Sequence, residues 1–541
     1  MPHVTQTHEP SLPSYRLIMI LMALVVAFAF QGSRGLYETT EGRYAEAGRE
    51  MFETGNYLEP TLNYQPHWTK PPMTYWAIAA GIKLLGRNEW GARLYLAVAF
   101  ILTVLVVYGL GQTLWGERVG LIAGFVYLSS PFPVIGANSV STDAILTLWE
   151  IAAVLCYLKA VKAIKAAPCT QWRWIVLMWI VWGLAFLTKG PPALLPLIPI
   201  ILWHQWRTDK PRLFDPLGIA LFLTIGLSWY IAVCLRHTGL VRYFLGREVV
   251  GRVFSEEDRN PQLYKAFLYY IPALTAGAGA WLYYGVQLRY LLWRRVLLLL
   301  KIARFYASRV FLSRERRYAP VDVLAETSNA SIATFLVMWM SIPLLVFFVV
   351  KSRLFFYVLP LYAPVALAMA RWISLKEKPG ARIGRTVAIA AAMAAILIAA
   401  KGAGLFYPSS KDMKAAYQLC RKVEKEKPVF VVVNEERYFG LQFYLDGALK
   451  RVSISHKHTP APGEDSFWDG TLQASLEAIR KDAGRRPYAY LVVEKRADGL
   501  VEQLKRAGLP FEQYKGKFWS LCFVRGKSGE TPARPGRPEA R

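Results

Sequence analysis

Mostly apolar stretches long enough to cross a bilayer recur through the first 400 residues of this 541-residue chain. No other feature restricts the fold as much, because a backbone inside hydrocarbon must satisfy its own hydrogen bonds and so runs as helices. We read spans at 15–33, 91–114, 119–136, 142–160, 172–188, 191–205, 216–235, 266–285, 331–350, 354–372 and 385–402. That is eleven, or thirteen if a further pair lies near the basic stretch after Arg289. The first apolar run, Tyr15 to Gln31, has no basic segment before it and no small-residue cleavage pattern after it. We read it as a retained first span.

The formal net charge of +27 raises nucleic acid as a partner, but the positions of the charges point elsewhere. They cluster in short loops between the apolar runs: Lys159, Lys162, Lys165 and Arg173; Arg207, Lys210 and Arg212; Arg371, Lys376, Lys378, Arg382 and Arg385; and the long loop from Arg289 to Arg317. All four groups fall on one side, which the positive-inside bias makes cytoplasmic. The last loop interleaves Leu, Trp and Phe with basic residues, and we expect an amphipathic helix on the anionic leaflet there. There is no Gly-rich nucleotide fingerprint and no helix-turn-helix pattern, so nucleic acid is not an expected partner.

With that orientation, the N-terminus is cytoplasmic and the polar segments converge on the outer face. They are the loop 34–90, the segment around Asp143, residues 236–259, Lys351 to Arg353, and the C-terminal region. Charges held at a membrane face line a wet cavity or bind something. Within the first loop, GRYAEAGREMFETG places Tyr44, Ala45, Ala47, Gly48, Met51 and Phe52 on one helical face and Glu46, Arg49, Glu50 and Glu53 on a wet one. HWTKPPMTYWAIAAGIKLLG then reads as a second short helix, with Pro71 and Pro72 in its first turn and Lys70 just before it. A lysine beside a positive helix end suits a bound anion.

This loop and the spans beyond it resemble the bacterial lipid A aminoarabinose transferase family, part of the protein-mannosyltransferase-like group. The residues that carry the resemblance are Thr40-Glu41-Gly42-Arg43-Tyr44-Ala45, Arg49-Glu50-Met51, Trp68-Thr69-Lys70-Pro71-Pro72, Thr142-Asp143 and Leu187-Thr188-Lys189-Gly190-Pro191. Ser228-Trp229-Tyr230, Glu248 with Gly251-Arg252, and Arg353 with Tyr357-Val358-Leu359-Pro360 come next, in family order.

The resemblance implies a polytopic α-helical membrane glycosyltransferase of the GT-C type with interfacial helices in its first external loop. Its donor would be a polyprenyl-phosphate sugar, and its site would lie on the outer face of the bacterial inner membrane. The acceptor would be a lipid, a glycan or a protein. On that reading Lys70, Arg252 and Arg353 bind the leaving phosphate, with Tyr357 as a hydrogen-bond donor; Arg43 either joins them or pairs with Glu41. Preorganised cations stabilise charge that builds as the glycosidic bond breaks. Glu41, then Asp143, are the candidates for general base, although a phosphate acceptor needs little base. Glu248, Tyr44, Lys189 and His67 are further candidates for substrate contact, Lys189 also having a structural reading at its helix end.

Two departures weigh on the chemistry. The family's first-loop Asp is Thr40 here, and its metal pair is replaced by Thr69 and Val249, both poor ligands. We therefore expect no cofactor and no metal of the family type; His67 with Glu248 is the remaining pair that could recruit a divalent ion.

Beyond residue 405 the pattern changes to PVFVVV, RVSIS and YAYLVVE, which read as strands between helical stretches. We assign 1–405 to the membrane domain, 406–526 to a small outer α/β domain and 527–541 to a disordered tail. Five cysteines show no metal or redox spacing; Cys420 and Cys522 could pair or remain free in that outer domain. A transporter of lipid-linked sugars remains the alternative, for it would also need a prenyl groove and phosphate-binding cations, but it should show repeated halves, which this chain does not.

Overall fold

The computed structural model describes residues 12–38, 40–164, 168–207, 209–251, 262–289, 329–376, 383–407 and 409–423, a few positions at 293–297, and parts of 430–525. Arg252, the amphipathic helix expected after Arg289 and the tail lie outside the described residues, Arg289 itself excepted. Two compact units emerge: one comprises 1–30, 69–74 and 95–401, the other 31–68, 75–94 and 402–541.

The first unit is helical. Its elements include α1 (Leu12–Phe28), α4 (Glu89–Trp115), shared with the second unit, α5 (Glu117–Ser129), α6 (Pro131–Gly136), α7 (Asp143–Ala163), α8 (Pro168–Lys189), α9 (Leu197–Gln205) and α10 (Pro216–Arg236). Helices Leu263–Leu274, Asn329–Val349, Tyr362–Lys376 and Gly384–Ala403 come after them. Among the described residues, seven helical stretches are long and apolar enough to cross a membrane: Glu89–Trp115, Asp143–Ala163, Cys169–Lys189, Pro216–Arg236, Ser331–Val349, Phe355–Lys376 and Gly384–Ala403. The chain is a multi-pass helical membrane protein.

All eleven expected spans fall on helical structure, but four are not single straight helices. Pro131 follows Ser130 and divides 119–136 into α5 and α6. Pro191 and Pro192 turn 191–205 into a 3₁₀ turn followed by the nine-residue α9. Pro272, and Gly279 at φ 59° and ψ −135°, interrupt 266–285. The span at 354–372 starts as a 3₁₀ segment, Phe355–Leu361, containing Pro360. Each proline lacks the N–H that would continue the ladder.

Large aromatic residues fill the interior and bring their polar atoms to partners. Trp182 donates to the Ala193 carbonyl at 3.0 Å, Trp281 to the Ser129 hydroxyl at 2.9 Å and Trp203 to the Ser331 hydroxyl at 2.9 Å. These bonds tie helices together where an unpaired indole N–H would be costly.

The second unit joins the first external loop to the C-terminal segment. It contains α2 (Thr40–Thr54), most of α3 (Met73–Leu85) and the short hairpin β1 (Thr61–Leu62) and β2 (Gln65–Pro66). Asn63 and Tyr64, both at φ 57°, form the left-handed hairpin turn. Beyond residue 402 come helices Met413–Val423 and Phe439–Tyr444 and a five-stranded sheet. The sheet order is β4 (Leu449–Val452), β3 (Phe430–Val433), β5 (Tyr488–Glu494), β7 (Trp519–Arg525), β6 (Phe511–Lys515), parallel at β4-β3-β5 and antiparallel at β5-β7-β6.

The expected wet face of α2 is wet at Glu53 but not at its other three residues. Glu46, Arg49 and Glu50 are fully buried, because helix Phe439–Tyr444 and the β1–β2 hairpin both pack against α2, the Tyr64 amide donating to Glu50 at 3.0 Å. The approach is close enough that a Cβ on Gly42 would meet the Gly440 amide nitrogen at 2.4 Å. Arg49 answers Glu46 in a bidentate pair at 2.7 and 2.8 Å and also contacts Glu53. Leu36 N donates to the Tyr444 hydroxyl at 2.9 Å, and the Gly440 amide donates to Glu38 at 2.9 Å, so the loop is sewn to the C-terminal segment. Cys420 is buried as a free thiol.

Candidate functional site

In the first unit the polar residues gather where helices end. α7 begins at Asp143, whose carboxylate sits in the first turn, where the helix dipole favours an anion. The loop before it is pinned by Tyr95, whose hydroxyl donates to the Ser141 carbonyl at 2.9 Å and accepts from the Ser141 amide at 3.1 Å. α8 packs against α7 and ends at Lys189, where a cation suits the carbonyl end. The Lys189 ammonium reaches Asp143 Oδ1 at 2.5 Å and lies 4.2 Å from the Tyr357 ring centroid. Only 9% of either charged side chain is exposed.

Gly190 makes this corner possible. Its φ of 74° suits glycine, and a Cβ there would lie 2.7 Å from the Tyr230 hydroxyl.

A second ion pair joins Lys70 to Glu248. Lys70 Nζ lies 3.3 Å from Glu248 Oε2 and donates to the Thr69 carbonyl at 2.7 Å, while the Tyr243 hydroxyl stands 3.5 Å from Glu248 Oε1. Glu248 lies on a π-helical segment, Tyr243–Gly251, a geometry that recurs at functional sites. The Pro71-Pro72 turn separates Lys70 from the helix, which starts at Met73.

Tyr230 connects the two pairs. Its hydroxyl borders Gly190, next to Lys189, and it interacts electrostatically with Glu248. Tyr270 lies within electrostatic reach of Tyr357, Arg353 and Asp143, which brings Arg353 to the same cluster. Arg353 is buried and spends part of its guanidinium on the Phe348 carbonyl at 2.8 Å, at the end of helix Asn329–Val349. Its visible task is to close that helix end.

Glu150 was not found from the sequence. It sits inside the apolar run ILTLWEIAAVL, seven residues beyond Asp143, is 4% exposed and interacts electrostatically with Lys189 and Asp143. A lone carboxylate within a span was the available signal.

The first-loop candidates have other duties within the second unit. Glu41 Oε1 accepts from Arg34 at 2.8 Å; Oε2 accepts from Arg34 at 2.5 Å, from the Tyr37 amide at 2.9 Å and from Arg93 at 3.2 Å. Burial works to raise its pKa, but Arg34 and Arg93 outweigh it and hold the carboxyl down at about 2. So weak a base, with both oxygens engaged, fits a structural anchor better than the general-base role expected first for it. Arg43 is half-buried, its guanidinium 5.3 Å from the Tyr44 ring centroid, and Glu41 takes Arg34 and Arg93 as partners. Tyr44 is buried 5.9 Å from the Tyr75 ring, and His67 is buried with its ring 6.5 Å from Tyr75.

Among the described residues no three His, Cys, Asp or Glu side chains group so as to hold a metal. Thr69 offers its carbonyl to Lys70, and Val249 has no donor atom, so these two positions do not fit the family's ligand pair.

Residues 69–233 match the family described as dolichyl-phosphate-mannose-protein mannosyltransferase. The chain is 32% identical over 365 residues to an undecaprenyl phosphate-alpha-4-amino-4-deoxy-L-arabinose arabinosyl transferase of Pectobacterium carotovorum, covering 66% of this chain and 58% of that protein. A protein of the same description from Erwinia tasmaniensis is 30% identical over 391 residues, covering 69% and 63%. The matched region thus spans less than two thirds of the length of these relatives. The crystal structure of ArnT from Cupriavidus metallidurans bound to undecaprenyl phosphate superposes with a TM-score of 0.72 at 18% identity, covering 96% of this chain and 99% of that one. In sequence this chain resembles the bacterial undecaprenyl phosphate-aminoarabinose transferases, and it shares the fold of the ArnT structure.

Proposed function

We propose that this protein is a glycosyltransferase that moves a sugar from a polyprenyl-phosphate donor to a lipid, glycan or protein acceptor at the outer face of the bacterial inner membrane. The observation that carries the reading is the neighbourhood of two partly buried lysine–carboxylate pairs, Lys70–Glu248 and Lys189–Asp143, around Tyr230. The named activity of the relatives supports the donor class.

The donor's phosphodiester carries one negative charge, and its phosphate gains a second as the bond from the sugar's anomeric carbon to the phosphate oxygen breaks. Lys70, held by Glu248 and the Thr69 carbonyl, is preorganised to receive that charge in a site largely closed to water. The acceptor oxygen forms the new bond to the anomeric carbon, and the electron pair of the old bond leaves on the phosphate. A hydroxyl acceptor passes its proton to Asp143, whose carboxylate Lys189 orients; a phosphate acceptor is already anionic and needs little base. Glu41 holds the first loop through Arg34 and Arg93, and Arg353 holds the corner before Tyr357. Lysines suffice to neutralise a monophosphate, so we expect transfer to proceed without a divalent metal.

The test is transfer by purified protein in nanodiscs, with EDTA, from a panel of polyprenyl-phosphate sugars to membrane lipid extract. Wild type should form product, and Lys70→Ala should lose at least a hundredfold of it while remaining folded. Donor binding without transfer for every sugar would overturn the reading and favour translocation of the donor instead.

A further inference from the structure

The opposite end of the first unit's bundle carries a feature the sugar chemistry does not use. An open recess of about 530 Å³ is lined by Gln112 and Thr113 at the end of α4, Gly116 in the turn that follows, Lys159 and Lys162 near the end of α7, and Trp174 in α8. α7 runs 21 residues from Asp143, so at 1.5 Å per residue the recess lies roughly 25 Å along the bundle from the candidate active site, near the other membrane face.

Its chemistry is that of an anion cup. Lys159 is half-buried, with its ammonium 4.3 Å from the Trp174 ring centroid, so its apolar stem is packed and its charge is held in place. Lys162 stands one turn later and is exposed. The Thr113 hydroxyl donates to the Gly109 carbonyl at 2.7 Å, and Gln112 is exposed beside it. Glu117, the acid nearest to the turn, is engaged by Arg16. Toward the membrane interior α8 presents exposed Leu177, an apolar surface for a chain. Lysines at a helix C-terminus are favoured by the dipole alone, but that does not account for a concave site that packs one of them on an indole beside an amide.

We infer that this recess binds the headgroup of an anionic phospholipid of the leaflet opposite the active site. The two lysines take the phosphate, Gln112 is placed for the polar headgroup substituent, and the acyl chains lie along α8. The inference does not depend on the transferase reading.

The experiment titrates delipidated full-length protein in detergent with phosphatidylglycerol or phosphatidylcholine and counts bound lipids by native mass spectrometry. At roughly fivefold per lysine near an anionic lipid, the double variant Lys159→Gln, Lys162→Gln should bind the first phosphatidylglycerol about thirtyfold more weakly. Phosphatidylcholine binding should not change. Lys210→Gln with Arg212→Gln, an equal charge loss elsewhere, should leave phosphatidylglycerol binding intact, and Lys159→Arg should retain most of it. Equal phosphatidylglycerol binding by wild type and the Lys159, Lys162 variant would overturn the inference, as would equal loss in the Lys210, Arg212 variant. Displacement of the lipid by millimolar inorganic phosphate would also overturn it, marking a free-phosphate site.

Discussion

Replacing Glu41 with Gln separates a structural carboxylate from a catalytic one. The carboxyl is buried among Arg34, Arg93 and the Tyr37 amide, and its pKa is held near 2 against the usual 4.5. A fall of that size corresponds to roughly 3 kcal/mol favouring the ionised, folded state. The sign follows from the depressed pKa: this contribution is fully present above about 4.5 and is lost as pH falls through about 2. Gln keeps the shape but removes the anion between two guanidinium groups, and breaking such a buried pair costs about 3–5 kcal/mol. We therefore expect Glu41→Gln at pH 7.5 to lose several degrees of thermal stability in detergent and to become sensitive to limited proteolysis near residues 34–41. Its remaining folded fraction should still transfer sugar within about tenfold of wild type. An unchanged melting temperature together with a thousandfold loss of turnover would refute this reasoning and return Glu41 to the role of base.

Other outcomes rest on the same geometry. Burial, with the neighbouring Glu46 charge, pushes Glu50 up to about 7, so its stability contribution is present below about 4.5 and lost as pH rises through 7; Glu50→Gln should flatten the fall in melting temperature between pH 6 and 8.5. Lys189→Met leaves Asp143 almost buried without its cation, and we expect at least a hundredfold lower transfer with donor binding reduced less, read from kcat and KM separately. Gly190→Ala places a Cβ 2.7 Å from the Tyr230 hydroxyl at a positive φ and should cost about 1–3 kcal/mol, partly recovered by Tyr230→Phe, as thermal unfolding of the double variant would measure.

Much of the architecture was legible in the chain because hydrocarbon admits few solutions. The eleven apolar runs, the basic loops and the strand-like stretches beyond residue 405 are local patterns, and each expected span fell on helix. The breaks at Pro131, Pro191 and Pro272 were written there too, but their depth in the bundle was not. Lys70, Asp143, Lys189 and Glu248 could be named in advance because charges at span ends are conspicuous, and Tyr357 because the family resemblance points to it. Their pairing could not: Lys189 meets Asp143 across 46 residues and Lys70 meets Glu248 across 178.

Periodicity also misassigned Glu46, Arg49 and Glu50 on α2, since a charged stripe reads as wet unless something distant covers it. Here residues from 439 onward and the β1–β2 hairpin cover it, and Arg49 neutralises the acids beside it. Glu41 stood as the first candidate base because the resemblance places Thr40 where the family has its Asp, and its engagement by Arg34 and Arg93 is not visible in the local sequence. Sequence by itself determined that this chain crosses a membrane many times, because solvation acts on every segment separately. Only the tertiary structure decided which charges meet, because an ion pair depends on two segments whose separation along the chain carries no record of their distance in space.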